Sequence, residues 1–510
     1  MGRHGGRRLV ANIIDAFGQV LDPLVLGVVL ASALFGLFVG AIPGLTATMA
    51  VALLVPVTFF LPPVPAVAAM VTSTAMAIFA GDVPGALLRM PGTPASAAYC
   101  DEAYAIGRQG HVERVLGAGL VCSAIGGLFG TMVLVTAAPW LAAMALEFSS
   151  FEYFWLVVLG LSAAVFVAHG NTLKALVSLM LGLLVSSVGF ENPAAYPRFT
   201  FGSVNLMSGF QLIPVMIGMF AVSEVARYAV SADSPLDAPK QVVGWIFKGQ
   251  AALIRRYPLS VLRGSALGTA VGALPGAGAD IAAWIAYGMA KRFSRTPEKF
   301  GTGHIEGVVE ASAANNAALS GAWIPALVFG IPGDSITAIV IGVLYMKGLN
   351  PGPAIFIENP QTIYAVFIIF FLANILLFPL GWALIKTARN VLHVPRNVLM
   401  PVILLFCVVG AFAINNSLFD VGVMLAFGLL AYGMEANGFP IAPTILGIVL
   451  GGMFEQNLVN SMIKARGNPA AFFERPVAAA LGVLTVLVWL SPLLFAWARG
   501  RAQSRRSRAY

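Results

Sequence analysis

The chain has 510 residues, of which 59% are hydrophobic and 10% charged, with a formal net charge of +8 and a mean hydropathy of +0.87. Soluble domains carry roughly 25% charged residues, so a water-soluble globule is excluded. The positive charge is spread over short polar connections; this excludes a folded basic face for nucleic acid and reads as a set of topology determinants.

Arg3, Arg7 and Arg8 open the chain, followed by Leu9 to Leu21, which mixes apolar and charged residues. Asp15 and Asp22 interrupt this stretch and no small-residue cleavage site follows, so a retained amphipathic helix on the membrane interface is expected rather than a signal peptide. From Leu24 to the Trp497 region, apolar runs long enough to span 30 Å of hydrocarbon recur, about ten to twelve in all. Backbone in lipid must satisfy its own hydrogen bonds, so these spans are predicted to be helices and the fold all-α and polytopic. A second mixed segment, Val242 to Ile254, precedes the next block of spans and is expected to lie along the interface like the first. Cys100, Cys122 and Cys407 lack disulfide or metal spacing and read as buried core residues.

Four interruptions punctuate the apolar sequence in chain order: Pro43-Gly44-Leu-Thr46-Ala-Thr48, Pro91-Gly92-Thr93-Pro94-Ala-Ser96, Pro275-Gly276-Ala-Gly278-Ala-Asp280 and Pro332-Gly333-Asp334-Ser335-Ile-Thr337. They belong to a longer self-similarity. Gly36 to Gly44 matches Gly268 to Gly276; Val83-Pro84 and Met90-Pro91-Gly92 recur as Ile324-Pro325 and Ile331-Pro332-Gly333. Asn171-Thr-Leu173 returns as Asn416-Ser-Leu418, and Gly209-Phe210 with Pro214 returns as Gly438-Phe439 with Pro443. The matches keep their order, which is the signature of duplication. We read residues 1–235 as a first transmembrane repeat, 236–475 as a second, 476–498 as an additional C-terminal helix and 499–510 as a basic tail.

The odd extra helix bears on orientation. If each half crosses an odd number of times, the basic central loop (Lys240 to Arg263) and the basic tail (Arg499 to Arg508) share one side, as the positive-inside rule favours. The repeats are then inverted, and the three N-terminal arginines are left on the less favourable face.

Proline removes a backbone donor and glycine loosens the chain, so a helix bearing both breaks and frees N–H and C=O groups. Freed N–H groups at a half-helix start suit a carboxylate, and unwound carbonyls suit Na⁺. The plainer alternative is that these are tight turns between spans. Against it stand the matched positions in both halves and the carboxylates Asp280 and Asp334 inside apolar sequence, each needing a partner ion or a watery cavity. The candidate substrate contacts are accordingly Pro43, Gly44, Thr46, Thr48, Pro91, Gly92, Thr93, Ser96, Pro275, Gly276, Pro332, Gly333 and Ser335, with Gly278, Asp280, Asp334 and Thr337 as candidates for ion coupling. Asn315 and Asn316, just ahead of the last break, join the substrate set because a carboxamide can donate to a carboxylate; an interhelical hydrogen bond is the structural alternative. Glu306 and Glu310 read as loop or helix-end charges rather than proton carriers; His169 and Glu224 are candidate intramembrane proton groups, although single ionisable residues near span ends are usually interfacial. No zinc-binding His-Glu-x-x-His, nucleotide-binding loop or Gly-x-Gly-Asp centre occurs, so an enzyme is not expected and no cofactor is called for beyond a coupling ion.

At these motifs the sequence resembles the large membrane subunit of the tripartite tricarboxylate transporter family. The likeness spans nearly the whole chain and is carried by Gly40-Ala-Ile-Pro-Gly-Leu-Thr-Ala-Thr48, Pro91-Gly-Thr-Pro-Ala95, Gly272-Ala-Leu-Pro-Gly-Ala-Gly-Ala-Asp280, Ala314-Asn-Asn-Ala317 and Gly330-Ile-Pro-Gly-Asp334 leading to Gly348-Leu-Asn-Pro-Gly-Pro353. It implies uptake of carboxylates such as citrate across a bacterial inner membrane, coupled to Na⁺ or H⁺, with a small membrane subunit and a periplasmic solute-binding protein as partners. A homodimer of the complex is compatible with the sequence. A non-transporting scaffold or sensor that binds a carboxylate receptor is the alternative, but a scaffold has no need of paired broken helices. Two departures stand out. Glu102-Ala-Tyr104-Ala105 replaces an expected Asp-Gly-Tyr-Pro run, and Ser312 replaces an acidic residue before Ala-Asn-Asn. Glu310, two positions earlier, falls on nearly the opposite helix face.

Overall fold

The computed structural model describes residues 3–168, 171–190, 196–230, 244–392 and 396–490. Among them the chain is helical, and its one β contact is an antiparallel bridge between Gly189 and Arg198. Eight helices are long and apolar enough to cross a membrane, and five more apolar helices of 10–17 residues are too short to do so alone. The all-α polytopic expectation therefore holds. His169, Lys240 and the tail beyond 490 lie outside the described residues, and the added C-terminal helix is seen over Pro476–Leu490.

The chain opens with α1 (Arg3–Val20), which packs along α18 (Pro360–Leu392), where Gln361 donates to the Asn12 side chain at 3.3 Å. Asp22 then caps α2 (Pro23–Ala41), its carboxylate accepting the Leu24 N–H at 2.8 Å. After the first break come α3 (Ala47–Phe59), α4 (Pro63–Ala80) and the short α5 (Asp82–Leu88). The second break leads through a 3-10 turn at Ser96–Ala98 into α6 (Cys100–Arg108) and the 34-residue α7 (Val112–Ala145). At 1.5 Å per residue α7 is about 50 Å long, more than a bilayer core. Then follow α8 (Ser150–Val167), α9 (Thr172–Ser186), α10 (Leu212–Ile217), a π-helical turn at Gly218–Val222 and α11 (Ser223–Val230).

The second half begins with α12 (Gln250–Arg256) and α13 (Pro258–Gly272); among its described residues the second mixed segment turns at 246–249 and is helical from Gln250. The third break precedes α14 (Gly278–Phe293), and the fourth separates α15 (Ile305–Phe329) from α16 (Ser335–Met346). A single turn, α17 (Ile355–Glu358), and the 33-residue α18 lead to α19 (Arg396–Asn415), α20 (Leu418–Ala436) and α21 (Ile441–Lys464).

Small residues set the packing. Helix α15, buried along nearly its whole length, is the spine against which α7, α13 and α14 lie. A methyl group on Gly264, Gly268 or Gly272 of α13 would fall 2.2–2.3 Å from the carbonyl oxygens of Glu310, Ala314 or Ala318 on α15. Only glycine at every fourth position lets two backbones approach so closely. The first half has the same contact: Gly36 and Gly40 of α2 lie against the carbonyls of Ser73 and Ala77 on α4. The halves are interlocked rather than side by side, since α7 of one grips α15 of the other and α9 packs on α21. Cys100, Cys122 and Cys407 are buried and free.

Candidate functional site

The second and fourth breaks bend the chain back onto their own halves, while Gly276 of the third lies against Ala164 of the first half. Gly92 N–H donates to Gly81 O at 3.0 Å, and a Cβ on Gly92 would meet Gly40 O at 2.9 Å. The second half repeats this, with a Cβ on Gly333 meeting Gly272 O at 2.8 Å. The third and fourth breaks are then joined directly, Gly276 N–H donating to Gly333 O at 2.7 Å. Cross-half contacts add to these: α3 packs on α16, Lys347 donates to the last carbonyl of α3 (Phe59 O, 2.8 Å), and α14 packs against the 3-10 turn at Ser96–Ala98.

The result is one cavity of about 440 Å³ to which all four interrupted stretches contribute: Thr46–Thr48, Thr93–Ala95, Gly276–Ile281 and Asp334–Ile336. Among the predicted residues, Thr46, Thr48, Thr93, Gly276, Gly278, Asp280, Asn315, Asp334 and Ser335 line it. Pro43, Gly44, Pro91, Gly92, Ser96, Pro275, Asn316, Pro332, Gly333 and Thr337 do not. The physical reason is a division of labour: proline and glycine end each helix, and the residues that follow reach the cavity. Ser96 spends its hydroxyl on the Thr93 backbone, accepting from N at 3.1 Å and donating to O at 2.9 Å. Thr337 forms a capping box with Asp334, whose Oδ1 accepts from Thr337 N and Oγ1, both at 2.7 Å. Asn316 follows the interhelical alternative, donating to Asn374 Oδ1 at 3.0 Å and Ser123 O at 3.3 Å. Its neighbour Asn315, about 100° around the helix, reaches the cavity instead.

The helix starts differ in what they offer an anion. Thr46 caps α3 through Met49 N, and Asp334 caps α16, whereas no side chain caps α14, whose first turn lines the cavity. The far wall is not legible from the break motifs. It is made by Phe220 from the π-helical turn, Ser223, Glu224 and Arg227 of α11, Glu435 at the end of α20, and the start of α21. Arg227 donates to Glu224 at 2.7 Å and to Glu435 at 2.6 Å, so Glu224 lines the cavity as part of an ion-paired group. A π-turn reorients the residues after it and recurs at functional sites. An arginine in an otherwise apolar segment is the available sequence signal. The lining thus holds four carboxylates, Glu224, Asp280, Asp334 and Glu435, against one guanidinium.

The residues of the two departures lie away from this cavity. Glu102 is buried and ties α6 to the loop ahead of α15, accepting from Gly303 N at 2.7 Å, His304 N at 2.6 Å and Tyr287 OH at 2.9 Å. Glu310 is bound by the Arg263 fork, Nε to Oε1 at 2.6 Å and Nη2 to Oε2, on a face turned from the breaks. Glu306 accepts from Ser260 and Ser294 hydroxyls at 2.9 and 2.7 Å.

Known proteins share this sequence pattern. A family model described as the tripartite tricarboxylate transporter TctA family matches residues 26–446. The chain belongs to that family. An uncharacterized 52.8 kDa protein in the TAR-I ttuC' 3'region of Agrobacterium vitis is 34% identical over 488 residues, covering 95% of this chain and 97% of that protein. A protein in the TAR-II ttuC' 3'region of the same organism is 36% identical over 228 residues, 44% of this chain and 94% of its own length. No solved structure matches the chain. Membership of the TctA family, together with the apolar helices, makes this a multi-pass membrane protein of a transporter family.

Proposed function

We propose that this TctA-family chain is the large membrane subunit of a binding-protein-dependent secondary transporter that imports small organic carboxylates across a bacterial inner membrane. The observation that carries the reading is the convergence of all four broken segments on one cavity. The uncapped start of α14 and the Arg227 guanidinium are the groups that would hold a carboxylate, through N–H dipoles and a charge-assisted fork. For the anion to use Arg227, the pairs to Glu224 and Glu435 must loosen, so substrate entry would be coupled to movement of α11 and α20 against the breaks.

Four carboxylates beside one guanidinium make an anion alone a poor occupant. A cation entering with it would restore balance, which supports symport with Na⁺ or H⁺, with Asp280 and Asp334 of the cavity lining as the coupling candidates. The matched glycine contacts at Gly40 and Gly272 support reading the halves as repeats, inverted if the basic loops share one side. The partners on this reading are a small membrane subunit, a periplasmic solute-binding protein and the bilayer; tricarboxylates such as citrate, or related di- and monocarboxylates, are the cargo. Uptake of a radiolabelled carboxylate in cells carrying all three subunits tests it: accumulation that collapses with the ion gradients supports the proposal, and accumulation indifferent to both gradients, or none at all, contradicts it.

A further inference from the structure

Behind the cavity, between α5, α6, α7 and α15, lies a buried polar cluster that shares Asn315 with the cavity lining. Asp82 is 6% exposed and takes part in none of the ion pairs among the described residues. Its Oδ1 accepts the Tyr99 hydroxyl at 2.5 Å, while Oδ2 has no hydrogen-bond partner. Two further buried oxygens are orphaned nearby: Ser312 Oγ and Asn315 Oδ1. A methyl group on Gly119 of α7 would lie 3.2 Å from Asp82 Oδ2 and 3.7 Å from Ser312 Oγ, so both oxygens border the gap that the missing side chain leaves. Asn315 Nδ2 reaches the Tyr99 hydroxyl at 3.4 Å, which links the cluster to the cavity that Asn315 also lines.

Native proteins rarely leave buried polar atoms without partners, and several sharing one place point to a bound ion or water. A carboxylate in such a position needs a counter-charge, and no side chain among the described residues supplies one. We propose that Asp82 Oδ2, Ser312 Oγ and Asn315 Oδ1 form a Na⁺ site. Hard oxygen donors with a single negative charge suit a monovalent hard cation; a divalent ion would leave net charge buried in an apolar bundle. A proton on Asp82 would supply one further O–H donor, whereas a cation can be shared among several oxygens at once. The site also accounts for the departure at Ser312: the carboxylate comes from Asp82, at the start of α5, and the serine contributes its hydroxyl. Asn315 spans both sites, so Na⁺ bound at Asp82 orients the carboxamide that meets the substrate.

This inference rests on the reading of the chain as an ion-coupled carrier, and its test is independent of uptake. Full-length protein in lipid nanodiscs is unfolded thermally in NaCl titrated against choline chloride at constant ionic strength. A ligand that binds only the folded state raises the midpoint, so Na⁺ should raise Tm by at least about 2 °C. In Asp82→Asn and Ser312→Ala the Na⁺ concentration for half the shift should rise at least about 10-fold. Ser312→Ala decides the matter alone if Asp82→Asn does not fold. Choline stabilising the wild type as well as Na⁺, or a half-shift concentration unchanged within about twofold in the variants, overturns the site. That failure, with gradient-dependent uptake intact, leaves the transport reading standing.

Discussion

Aligning Val83-Pro84 with Ile324-Pro325 sets Asp82 opposite Trp323, and the two positions have opposite surroundings. Asp82 opens a short helix after a turn at Gly81 and faces oxygens from α6 and α15. Trp323 sits inside an unbroken α15, fully buried, edge-on to Phe370 at 5.1 Å, with its Nε1 unpartnered. The backbone framework is shared: in each half a glycine of the first helix lies against the next hairpin and a Pro-Gly turn folds over it. The chemistry is not. At these matched positions the first half supplies a carboxylate to a polar pocket that Ser312 and Asn315 of the second half complete, while the second half places a buried aromatic pair.

Substitutions that treat the halves alike should have the largest effect. Gly40→Val and Gly272→Val each push a side chain into a carbonyl on the neighbouring helix, and both should cost about 3 kcal/mol or more, seen as loss of monodisperse protein on size exclusion. Tolerance of one but not the other would break the structural equivalence. Next comes Arg263→Ala, which strands the Glu310 carboxylate, whose side chain is fully buried. Removing one partner of a buried pair costs about 3 to 5 kcal/mol, so thermal stability should fall equally with and without Na⁺. A Na⁺-dependent loss would transfer the ion-binding role from Asp82 to Glu310.

A smaller effect, confined to transport, is expected of Arg227→Gln. Loss of a charge-assisted contact is worth about 1.5 to 3 kcal/mol, so the ratio kcat/KM for uptake should drop at least about 10-fold with protein abundance unchanged. Asp280→Asn and Asp334→Asn should also impair uptake at near-normal abundance; normal transport by both would make these carboxylates structural. The smallest effect belongs to Trp323→Phe. Its lost volume is partly offset by removal of an unpaired N–H, so stability should change by about 1 kcal/mol and the Na⁺ response not at all. A shifted Na⁺ response would mean that the two matched positions are less distinct than their side chains suggest.

The helical framework and the four break positions are legible in the sequence because Pro-Gly pairs stand out in apolar runs and because matched motifs keep their order. Which residues of each motif face the cavity is not, since that depends on how the chain turns after the break. Asn315 and Asn316 are adjacent, yet one lines the cavity and the other holds α18. Arg227 and Glu435 come from segments without a break motif and meet only when α11 packs on α20. Asp82 carries no signal of its own because it precedes a Val-Pro step that reads as a turn; its meaning lies in its proximity to Ser312, across a long stretch of chain.

The residues that follow the four breaks are expected to share one substrate-filled space. Single cysteines at Thr48, Thr93, Ala279 and Ser335, in a chain whose own Cys100, Cys122 and Cys407 are replaced, can be challenged with a charged methanethiosulfonate in the assembled three-subunit system. All four should react and all four should be protected together when the binding protein delivers carboxylate, while a cysteine at Asn316 should not react. Labelling of the four positions that is indifferent to substrate, or protection of one half without the other, would contradict the account.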